Sequence, residues 1–150
     1  MTLKKITKQE RTEAAKILAD YWAERGMHEY NQKWAERYIV EGHKKEIKSD
    51  EFFIRKEGDK VIGTVSLTAD VSGVAEIRDL VIKEEFRGKG YGKKILAELI
   101  EFAKKRKIRK LFALTKVEGL FKSAGFEKEG VLKSHFAKDE DLAVMSKFLQ

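Results

Sequence analysis

Residues 79–94 of this 150-residue chain read DLVIKEEFRGKGYGKK and contain a strand end, a basic loop and a helix start. The run of residues 75–82 is apolar and rich in β-branched side chains, which is typical of a strand. From Tyr91 onward, apolar residues recur with helical spacing and leave one polar face. The stretch therefore predicts a strand–loop–helix unit, and the rest of the fold can be worked out from it.

The loop of this unit has the composition of an anion site. Gly88, Gly90 and Gly92 stand at alternate positions, and glycine lets the backbone turn sharply and approach a ligand closely. A helix N-terminus presents unpaired N–H groups, and the helix dipole favours an anion there. Four cationic side chains add to this field: Arg87, Lys89, Lys93 and Lys94. We interpret the loop as a site for phosphate or pyrophosphate.

The spacing of the glycines excludes two common phosphate-binding motifs. A Walker P-loop needs two glycines five apart, then Lys and Ser or Thr, but the residue five beyond Gly88 is Lys93 and no Ser or Thr follows it. A dinucleotide fingerprint needs a glycine three residues beyond Gly92, where this chain has Ile95. What remains is the pattern Arg87-x-x-Gly90-x-Gly92 directly after a strand.

That pattern resembles the acetyl-CoA signature of the GCN5-related N-acetyltransferase (GNAT) superfamily, which is Gln/Arg-x-x-Gly-x-Gly/Ala. The segment of residues 120–126 also looks like the family's aromatic-x-x-x-Gly-Phe segment. Residues 114–126 are similar to the acetyltransferase domain of N-acetylglutamate synthases. The resemblance implies acetyl-CoA as cosubstrate without a metal, its pyrophosphate held by loop amides and its pantetheine arm by strand backbone. The implied cosubstrate-binding residues are Leu80, Val81, Ile82, Arg87, Gly88, Lys89, Gly90, Tyr91, Gly92, Lys93 and Phe121.

Length and composition set the outer limits of the interpretation. A chain of 150 residues is long enough for one domain with a real core, so we expect a single domain over residues 1–150. Cysteine is absent, which excludes disulfides and thiolate nucleophiles. The three histidines are far apart in sequence, so we do not expect a metal site. No apolar run reaches membrane-spanning length and no signal-peptide pattern is present, so we expect a cytoplasmic protein.

The net charge of +7 indicates an anionic partner without identifying it. The basic run at residues 104–107 is explained by favourable cations at a helix C-terminus, and we do not expect a specific nucleic-acid role for it.

The rest of the chain predicts an α/β (α+β) protein with element order β, α, α, β, β, β, α, β, α, β, β. The expected elements span residues 2–7, 8–25, 29–40, 51–56, 60–68, 74–82, the helix from Tyr91, 110–114, 115–124, 126–132 and 142–148. Several neighbours are hairpins, so we expect a mixed, mostly antiparallel sheet of six to seven strands with about four helices. The strand of residues 74–82 should lie parallel to that of residues 110–114. The GNAT fold has this order of elements.

Three aromatic residues on the second helix, Tyr30, Trp34 and Tyr38, lie four apart and share one face. They wall an acceptor pocket in one interpretation and pack the helix onto the sheet in the other.

The resemblance implies direct attack of an amine on the thioester in a ternary complex. A backbone N–H near Leu80 to Ile82 would bond the thioester oxygen. Glu76 is the expected general base, because it lies eleven residues before Arg87, as in the histone-acetyltransferase branch of the superfamily. The alternatives are Asp79, a water chain, or a Glu76 that simply pairs with Arg78. By period two, Glu76, Arg78 and Leu80 share one face, unless a family-typical bulge breaks the register near Leu80.

The general acid is harder to assign. Many family members carry a tyrosine where this chain has Phe121, which makes ribosomal-protein N-terminal acetylation less expected. Ser123 is a nearby hydroxyl that could serve as acid, and His135 could contribute to acceptor binding.

The acceptor amine, a small molecule or a protein, stays open at this stage. The family often forms dimers, so a homodimer is possible, and no membrane partner is expected. A non-catalytic CoA-binding or basic nucleic-acid-binding module on the same fold is the alternative function.

Overall fold

A computed structural model describes residues 3–42 and 46–150. The chain divides into two compact units, Met1–Glu46 and Ile47–Gln150, which are described separately. The expectation of a single domain over residues 1–150 stays a prediction. Thr2 and His43, which the sequence analysis assigned to a strand and to a charged connection, lie outside the described residues.

The first unit is helical. Its elements are a short 3-10 turn (Lys8–Glu10), helix α1 (Arg11–Ala23) and helix α2 (Gln32–Glu41). Asn31 begins α2 by accepting a hydrogen bond from the Trp34 amide at 3.0 Å, and Gly42 ends it with a φ of 67°. Both are ordinary helix-capping chemistry.

A row of aromatic rings lies inside this unit. Tyr30, which the sequence placed on the second helix, precedes α2, whereas Trp34 and Tyr38 lie on it. Tyr30 lies 4.8 Å from Trp34 and Trp34 lies 4.9 Å from Tyr38, measured between ring centroids. Trp22 of α1 continues the row at 5.1 Å from Tyr30. These contacts join the two helices of the unit to each other. A role for the rings in an acceptor pocket stays a prediction.

The expected first strand is not formed by the described part of its range, residues 3–7. These residues lead directly into the first helix instead. Glu10 accepts a hydrogen bond from the Thr7 amide at 3.2 Å, and the Lys4 ammonium pairs with the same carboxylate. Residues 3–7 therefore precede the first helical turn. Their contacts with Glu10 favour this arrangement over pairing as a strand.

The second unit holds one six-stranded sheet in the order β1-β2-β3-β4-β6-β5. Its strands are β1 (Ile47–Glu57), β2 (Lys60–Asp70), β3 (Val74–Ile82), β4 (Lys110–Thr115), β5 (Glu127–Ala137) and β6 (Glu140–Phe148). Helix α3 (Tyr91–Lys105) follows β3, and helix α4 (Glu118–Ser123) follows β4. All pairings are antiparallel except β3 with β4. The fold class and the parallel pairing predicted from the sequence are confirmed.

The core of this unit lies between the sheet and α3. Leu96 and Leu99 of α3 are buried against Leu67 of β2, Ile77 of β3 and Leu111 of β4. Fully burying one such side chain contributes about 1.5–3 kcal/mol. This packing holds the N-terminal end of α3 beside the C-terminal end of β3.

The parallel ladder between β3 and β4 is short. It consists of the pairs Val74↔Lys110, Ala75↔Leu111 and Glu76↔Phe112. Both strands continue beyond the last pair, β3 to Ile82 and β4 to Thr115, without pairing to each other. The two strands therefore diverge after Glu76 and leave an opening in the middle of the sheet.

A β-bulge in β3 lies at the start of this opening. Thr64 of β2 pairs with Val81, and Ser66 pairs with Arg78, so β3 has one extra residue in this interval. Asp79 has a φ of 55°, and Leu80 packs against the same core as Ile77. The bulge expected near Leu80 is confirmed, and it removes Leu80 from the face of Glu76 and Arg78.

Candidate active site

The opening between β3 and β4 forms a cleft of about 260 Å³. The residues that line it come from both diverging strands, from α4 and from the β5–β6 hairpin. They are Ile77, Arg78, Asp79, Leu80, Val81, Ala113, Leu114, Thr115, Lys116, Val117, Phe121, Phe136 and Leu142. A cleft of this shape between two strands admits an extended chain that uses the free backbone groups of one strand.

The basic loop begins where β3 ends. A 3-10 turn (Glu84–Phe86) reverses the chain, and the Arg87 Nε donates a hydrogen bond to the Ile82 carbonyl at 2.7 Å. Gly88 and Gly90 then adopt φ values of 73° and 84°, which favour glycine. Gly90 is the N-cap residue of α3. Arg87 is exposed, and this hydrogen bond ties the loop to the end of the strand.

The loop fits an anion. A Cβ built on Gly88 or Gly90 would meet no atom within 4 Å, so a ligand can approach the backbone there. The first amides of α3 have no intrahelical acceptor because they belong to the first turn. Among the residues that the structure describes, Lys89 and Lys93 have no acidic partner. Free amides, a helix N-terminus and free ammonium groups together suit a pyrophosphate such as that of CoA.

Gly92 has a different role from the other two glycines. It lies in the first turn of α3, and a Cβ on it would stand 3.3 Å from Leu120 Cδ2 of α4. The missing side chain therefore permits α3 to approach α4. This packing role is additional to the predicted one, and the cosubstrate-binding role of Gly92 stays a prediction.

Tyr91, the first residue of α3, is held by the β1–β2 hairpin. Its hydroxyl donates a hydrogen bond to Glu57, and the Arg55 guanidinium lies 5.7 Å from its ring centroid. The hydrogen bond to the Glu57 carboxylate, followed by burial, raises the pKa of Tyr91 above its ordinary value. The hairpin thus contacts the N-terminus of the helix that carries the anion site.

Glu76 lies in the last pair of the parallel ladder, directly before the lining residue Ile77, but it is not itself among the residues that line the cleft. Its side chain is 24% exposed, and its carboxylate lies 3.8 Å from the Arg78 Nε. The alternative left open by the sequence, a pair with Arg78, is therefore present in a loose form. The base role of Glu76 stays a prediction.

A protein-family model for the acetyltransferase (GNAT) family matches residues 12–126. The chain belongs to the GNAT family. The sequence resemblance is confirmed at this level, whereas the comparisons do not show the narrower similarity to N-acetylglutamate synthases.

Two curated relatives of this GNAT chain carry the same general description. An uncharacterised N-acetyltransferase of Methanocaldococcus jannaschii is 30% identical over 146 residues, which covers 88% of this chain and 63% of that protein. An uncharacterised N-acetyltransferase of Chlorobaculum tepidum is 31% identical over 78 residues, 52% of this chain and 50% of that protein. The chain spans less than two thirds of the length of either relative.

Solved structures share the fold. A Bacillus subtilis acetyltransferase in complex with CoA has a TM-score of 0.61 at 18% identity, covering 99% of this chain and 97% of that one. An aminoglycoside 6'-N-acetyltransferase complexed with coenzyme A has a TM-score of 0.62 at 12% identity, covering 99% and 95%. A ribosomal-protein-alanine N-acetyltransferase from Brucella melitensis has a TM-score of 0.60 at 23% identity, covering 99% and 100%. At these identities the likeness concerns the fold alone.

The remaining sequence-predicted residues of this GNAT chain separate into two groups. Phe121 of α4 is buried, packs edge-to-face on Phe126 at 5.2 Å and lines the cleft. Ser123 is outside the cleft lining, and its hydroxyl donates to the Leu120 carbonyl at 2.6 Å. The structure thus places Phe121 in the lining of the cleft, whereas Ser123, two residues further along α4, is outside it. The acid role of Ser123 stays a prediction.

Two side chains that the sequence analysis did not select also line the cleft, Lys116 and Phe136. His135, which it did select for acceptor binding, is not among the lining residues. Phe136 reaches the cleft because of an irregular register in β5, and no glycine or proline in residues 132–137 signals that irregularity. Neither residue could have been found from a local pattern.

No helix of the described ranges is long and apolar enough to cross a bilayer. Within the same ranges, no group of three or more acidic or histidine side chains could hold a metal ion.

Proposed function

We propose that this chain is an acetyl-CoA-dependent N-acetyltransferase that transfers an acetyl group to a primary amine. The observation that carries the proposal is the divergence of β3 and β4 after Glu76, with an anion-binding loop at the end of β3. Membership in the GNAT family and the names of its curated relatives support the same activity. A pyrophosphate on the loop would direct the attached arm along β3 into the cleft.

In this proposal the loop holds the pyrophosphate through the amides from Gly88 to Lys93 and the ammonium groups of Lys89 and Lys93. The backbone of Leu80, Val81 and Ile82 pairs with the pantetheine arm, because this part of β3 has lost its partner β4. Phe121 closes the floor of the cleft from α4.

The reaction is an acyl transfer by direct attack. The amine nitrogen forms a bond to the thioester carbon, and the carbon–sulfur bond then breaks to release CoA. A backbone N–H beside the bulge at Asp79 and Leu80 stabilises the oxyanion, since the extra residue interrupts pairing to β2 there. Removing a donor of this kind typically costs about 100- to 1,000-fold in kcat.

Glu76 accepts the proton that the attacking amine loses. Its position in the last pair of the ladder, directly before the lining residue Ile77 and with one quarter of its side chain exposed, suits a group that exchanges protons with solvent and with an acceptor in the cleft. The departing thiolate takes a proton from Ser123 or from solvent, because the cleft offers Phe121 where many family members have a tyrosine.

The acceptor belongs to one of two classes, a small amine or a protein amine. The structural neighbours include enzymes named for each class, an aminoglycoside and a ribosomal-protein alanine, so their fold does not choose between them. Cytoplasmic location and a homodimer stay predictions.

The test begins with binding. Acetyl-CoA should raise the Tm of the protein, and thiol release over a panel of amines should then identify the acceptor. The double variant Lys89→Ala/Lys93→Ala should bind acetyl-CoA about tenfold or more weakly. The matched control Lys105→Ala/Lys107→Ala removes the same charge near the other end of α3 and should bind normally. Absence of any acetyl-CoA effect on Tm would overturn the proposal.

A second candidate is a non-catalytic CoA-binding or basic nucleic-acid-binding module. The observation in its favour is the net charge of +7 together with the basic run after α3. Binding of RNA that weakens steeply with salt and is lost in Lys105→Ala/Lys107→Ala would support this function. Acetyl-CoA binding without thiol release from small amines or protein substrates would support the CoA-binding version.

A further inference from the structure

The β5–β6 hairpin carries a large irregularity near its tip. Leu132 pairs with Leu142, and the next pair is Ala137 with Glu140. Four residues of β5 therefore lie between pairs that are separated by only one residue of β6. An insertion of this kind changes the direction of the side chains that it carries, and bulges are frequent next to active sites.

The irregularity is held by hydrogen bonds. Ser134 has a φ of 50°, its amide donates to Asp141 Oδ1 at 2.8 Å, and its hydroxyl accepts from the Asp139 amide at 3.1 Å. Two hydrogen bonds within the hairpin thus maintain a backbone conformation that a regular strand would not adopt.

The result of this arrangement is an exposed aromatic ring at the cleft. Phe136 is 65% exposed, yet it lines the cleft together with Leu142 of β6. The Lys116 ammonium lies 4.3 Å from the centroid of its ring and 3.1 Å from Glu140. A single exposed ring is ordinary on a protein surface, but Phe136 shares the cleft lining with Leu142 and with Val117, which is 59% exposed. Exposed apolar side chains gathered in one cleft indicate a contact surface for a ligand.

We propose that Phe136 recognises the acceptor and that the acceptor is a monoamine with an apolar or aromatic body. The inference rests on the proposed acetyltransferase function and names its substrate class. The apolar body would pack on Phe136, Leu142 and Val117, which line one region of the cleft.

The charges of the cleft argue against polyamines and aminoglycosides. Arg78 and Lys116 line it together with one carboxylate, that of Asp79, which already accepts a hydrogen bond from the Ser66 hydroxyl at 2.7 Å. The described lining residues therefore offer a polycationic acceptor no unpaired carboxylate for its second ammonium group. A monoamine presents one ammonium group, which loses its charge before attack. Its apolar body gains from burial against the ring.

The chain offers a matched control for Phe136. Phe148 is 64% exposed on β6, and the Lys110 ammonium lies 5.2 Å from its ring centroid. It therefore has similar exposure and a similar lysine contact, but it does not line the cleft. Phe136→Ala and Phe148→Ala each remove a phenyl ring from the β5–β6 hairpin.

The experiment measures thiol release with 2-phenylethylamine, spermidine and kanamycin as acceptors. The wild type should prefer 2-phenylethylamine by about tenfold or more in kcat/KM. Phe136→Ala should raise the KM for this amine about five- to tenfold and leave the KM for acetyl-CoA unchanged, whereas Phe136→Leu should restore part of the loss. Phe148→Ala should behave as the wild type.

Three results would overturn the inference. The first is an equal KM for 2-phenylethylamine in Phe136→Ala and Phe148→Ala, and the second is a higher kcat/KM with spermidine or kanamycin than with 2-phenylethylamine. The third is no acetylation of 2-phenylethylamine by a wild type whose Tm rises with acetyl-CoA. Failure of the proposed function is distinguishable from all three, because in that case acetyl-CoA itself leaves the Tm unchanged.

Discussion

Asp79 adopts a left-handed backbone conformation that a non-glycine residue rarely takes, and two side chains of β2 hold it there. The Thr64 hydroxyl donates to the Asp79 carbonyl and the Ser66 hydroxyl donates to its carboxylate, both at 2.7 Å. Ser66 is itself buried. Strain that is maintained by specific contacts at the entrance of a cleft is typical of functional sites.

If the bulge aims the N–H that stabilises the oxyanion, loosening it should slow the chemistry. We expect the double variant Thr64→Val/Ser66→Ala to lose about tenfold or more in kcat while its acetyl-CoA affinity is kept. Thr68→Val is the control, since Thr68 lies on the same strand but its hydroxyl bonds to Asp50. Steady-state kinetics and calorimetry measure the two quantities. A double variant with the kcat of Thr68→Val would contradict the role of the bulge.

Glu76 allows a second prediction at this scale. Glu76→Gln keeps the shape of the side chain but removes the proton acceptor, so kcat should fall about 100-fold or more. The acid limb of the pH–rate profile should disappear, whereas acetyl-CoA affinity should not change. Glu127→Gln, an exposed glutamate of β5, is the control for the substitution itself. A retained acid limb would rule out Glu76 as the base.

Among the elements of the fold, α3 has the most demanding position. Its first turn faces the anion site, its apolar face covers the sheet, and its glycine at position 92 contacts α4. Because α3 is packed on the sheet, the position of its N-terminus and of the loop that precedes it is fixed by the core. Hydrogen bonding of Tyr91 to Glu57 adds a contact with the β1–β2 hairpin.

Two glycine-to-alanine substitutions test the α3–α4 contact. Gly119→Ala should stabilise the protein by about 0.4–1 kcal/mol, because a Cβ there meets nothing within 4 Å and the unfolded chain loses freedom. In Gly92→Ala the same gain is offset by the 3.3 Å approach to Leu120, so its net change should be near zero or destabilising. Urea denaturation measures both, and equal stabilisation by the two variants would refute the packing role of Gly92.

The side chain of Glu129 joins three strands of the sheet through polar contacts. Glu129 of β5 accepts from the Lys110 ammonium at 2.7 Å and from the Ser146 hydroxyl at 2.6 Å, so it connects β5 with β4 and β6. These hydrogen bonds, that of Lys110 first, hold the pKa of Glu129 below its ordinary value. A lowered carboxylate pKa means that the contact stabilises the folded state near neutral pH.

This stabilisation should be lost as the pH falls through the folded-state pKa of Glu129. Glu129→Gln should therefore lower the Tm by a few degrees at most at pH 7, and the difference from the wild type should shrink below about pH 4.3, the ordinary pKa of a glutamate. Thermal unfolding over a pH series measures it. A Tm difference between Glu129→Gln and the wild type that is independent of pH would show that the charge of Glu129 does not contribute to stability.

For the whole molecule, the distribution of charge matters more than its sum. The net charge of +7 attracts any polyanion, whereas Lys89 and Lys93 stand beside the loop itself. We expect acetyl-CoA affinity to fall as salt is raised, because ions screen exposed charges over about 8–10 Å. In Lys89→Ala/Lys93→Ala the dependence should be shallower. Calorimetry at two salt concentrations measures the slopes, and identical slopes would place the responsible charges elsewhere.

Local patterns predicted much of the second unit. The strand of residues 74–82, the start of α3 at Tyr91 and the glycine-rich loop all follow from periodicity and turn chemistry within a few residues. These elements could be predicted because their formation depends on residues that are close in sequence. The prediction of an N-terminal strand was wrong, because residues 3–7 carry no strand pattern strong enough to outweigh the pairing of Lys4 and Thr7 with Glu10.

The sequence by itself determined the six strands of the sheet, their order along the chain and the glycine-rich loop before α3. Only the tertiary structure decided where β3 leaves β4, that Gly92 serves helix packing, and that Phe136 instead of His135 lines the cleft. These features arise between segments tens of residues apart, such as β3 with β4 and α3 with α4. A spacing rule within one segment carries no information about them, because strand register and helix contacts depend on the packing of both partners.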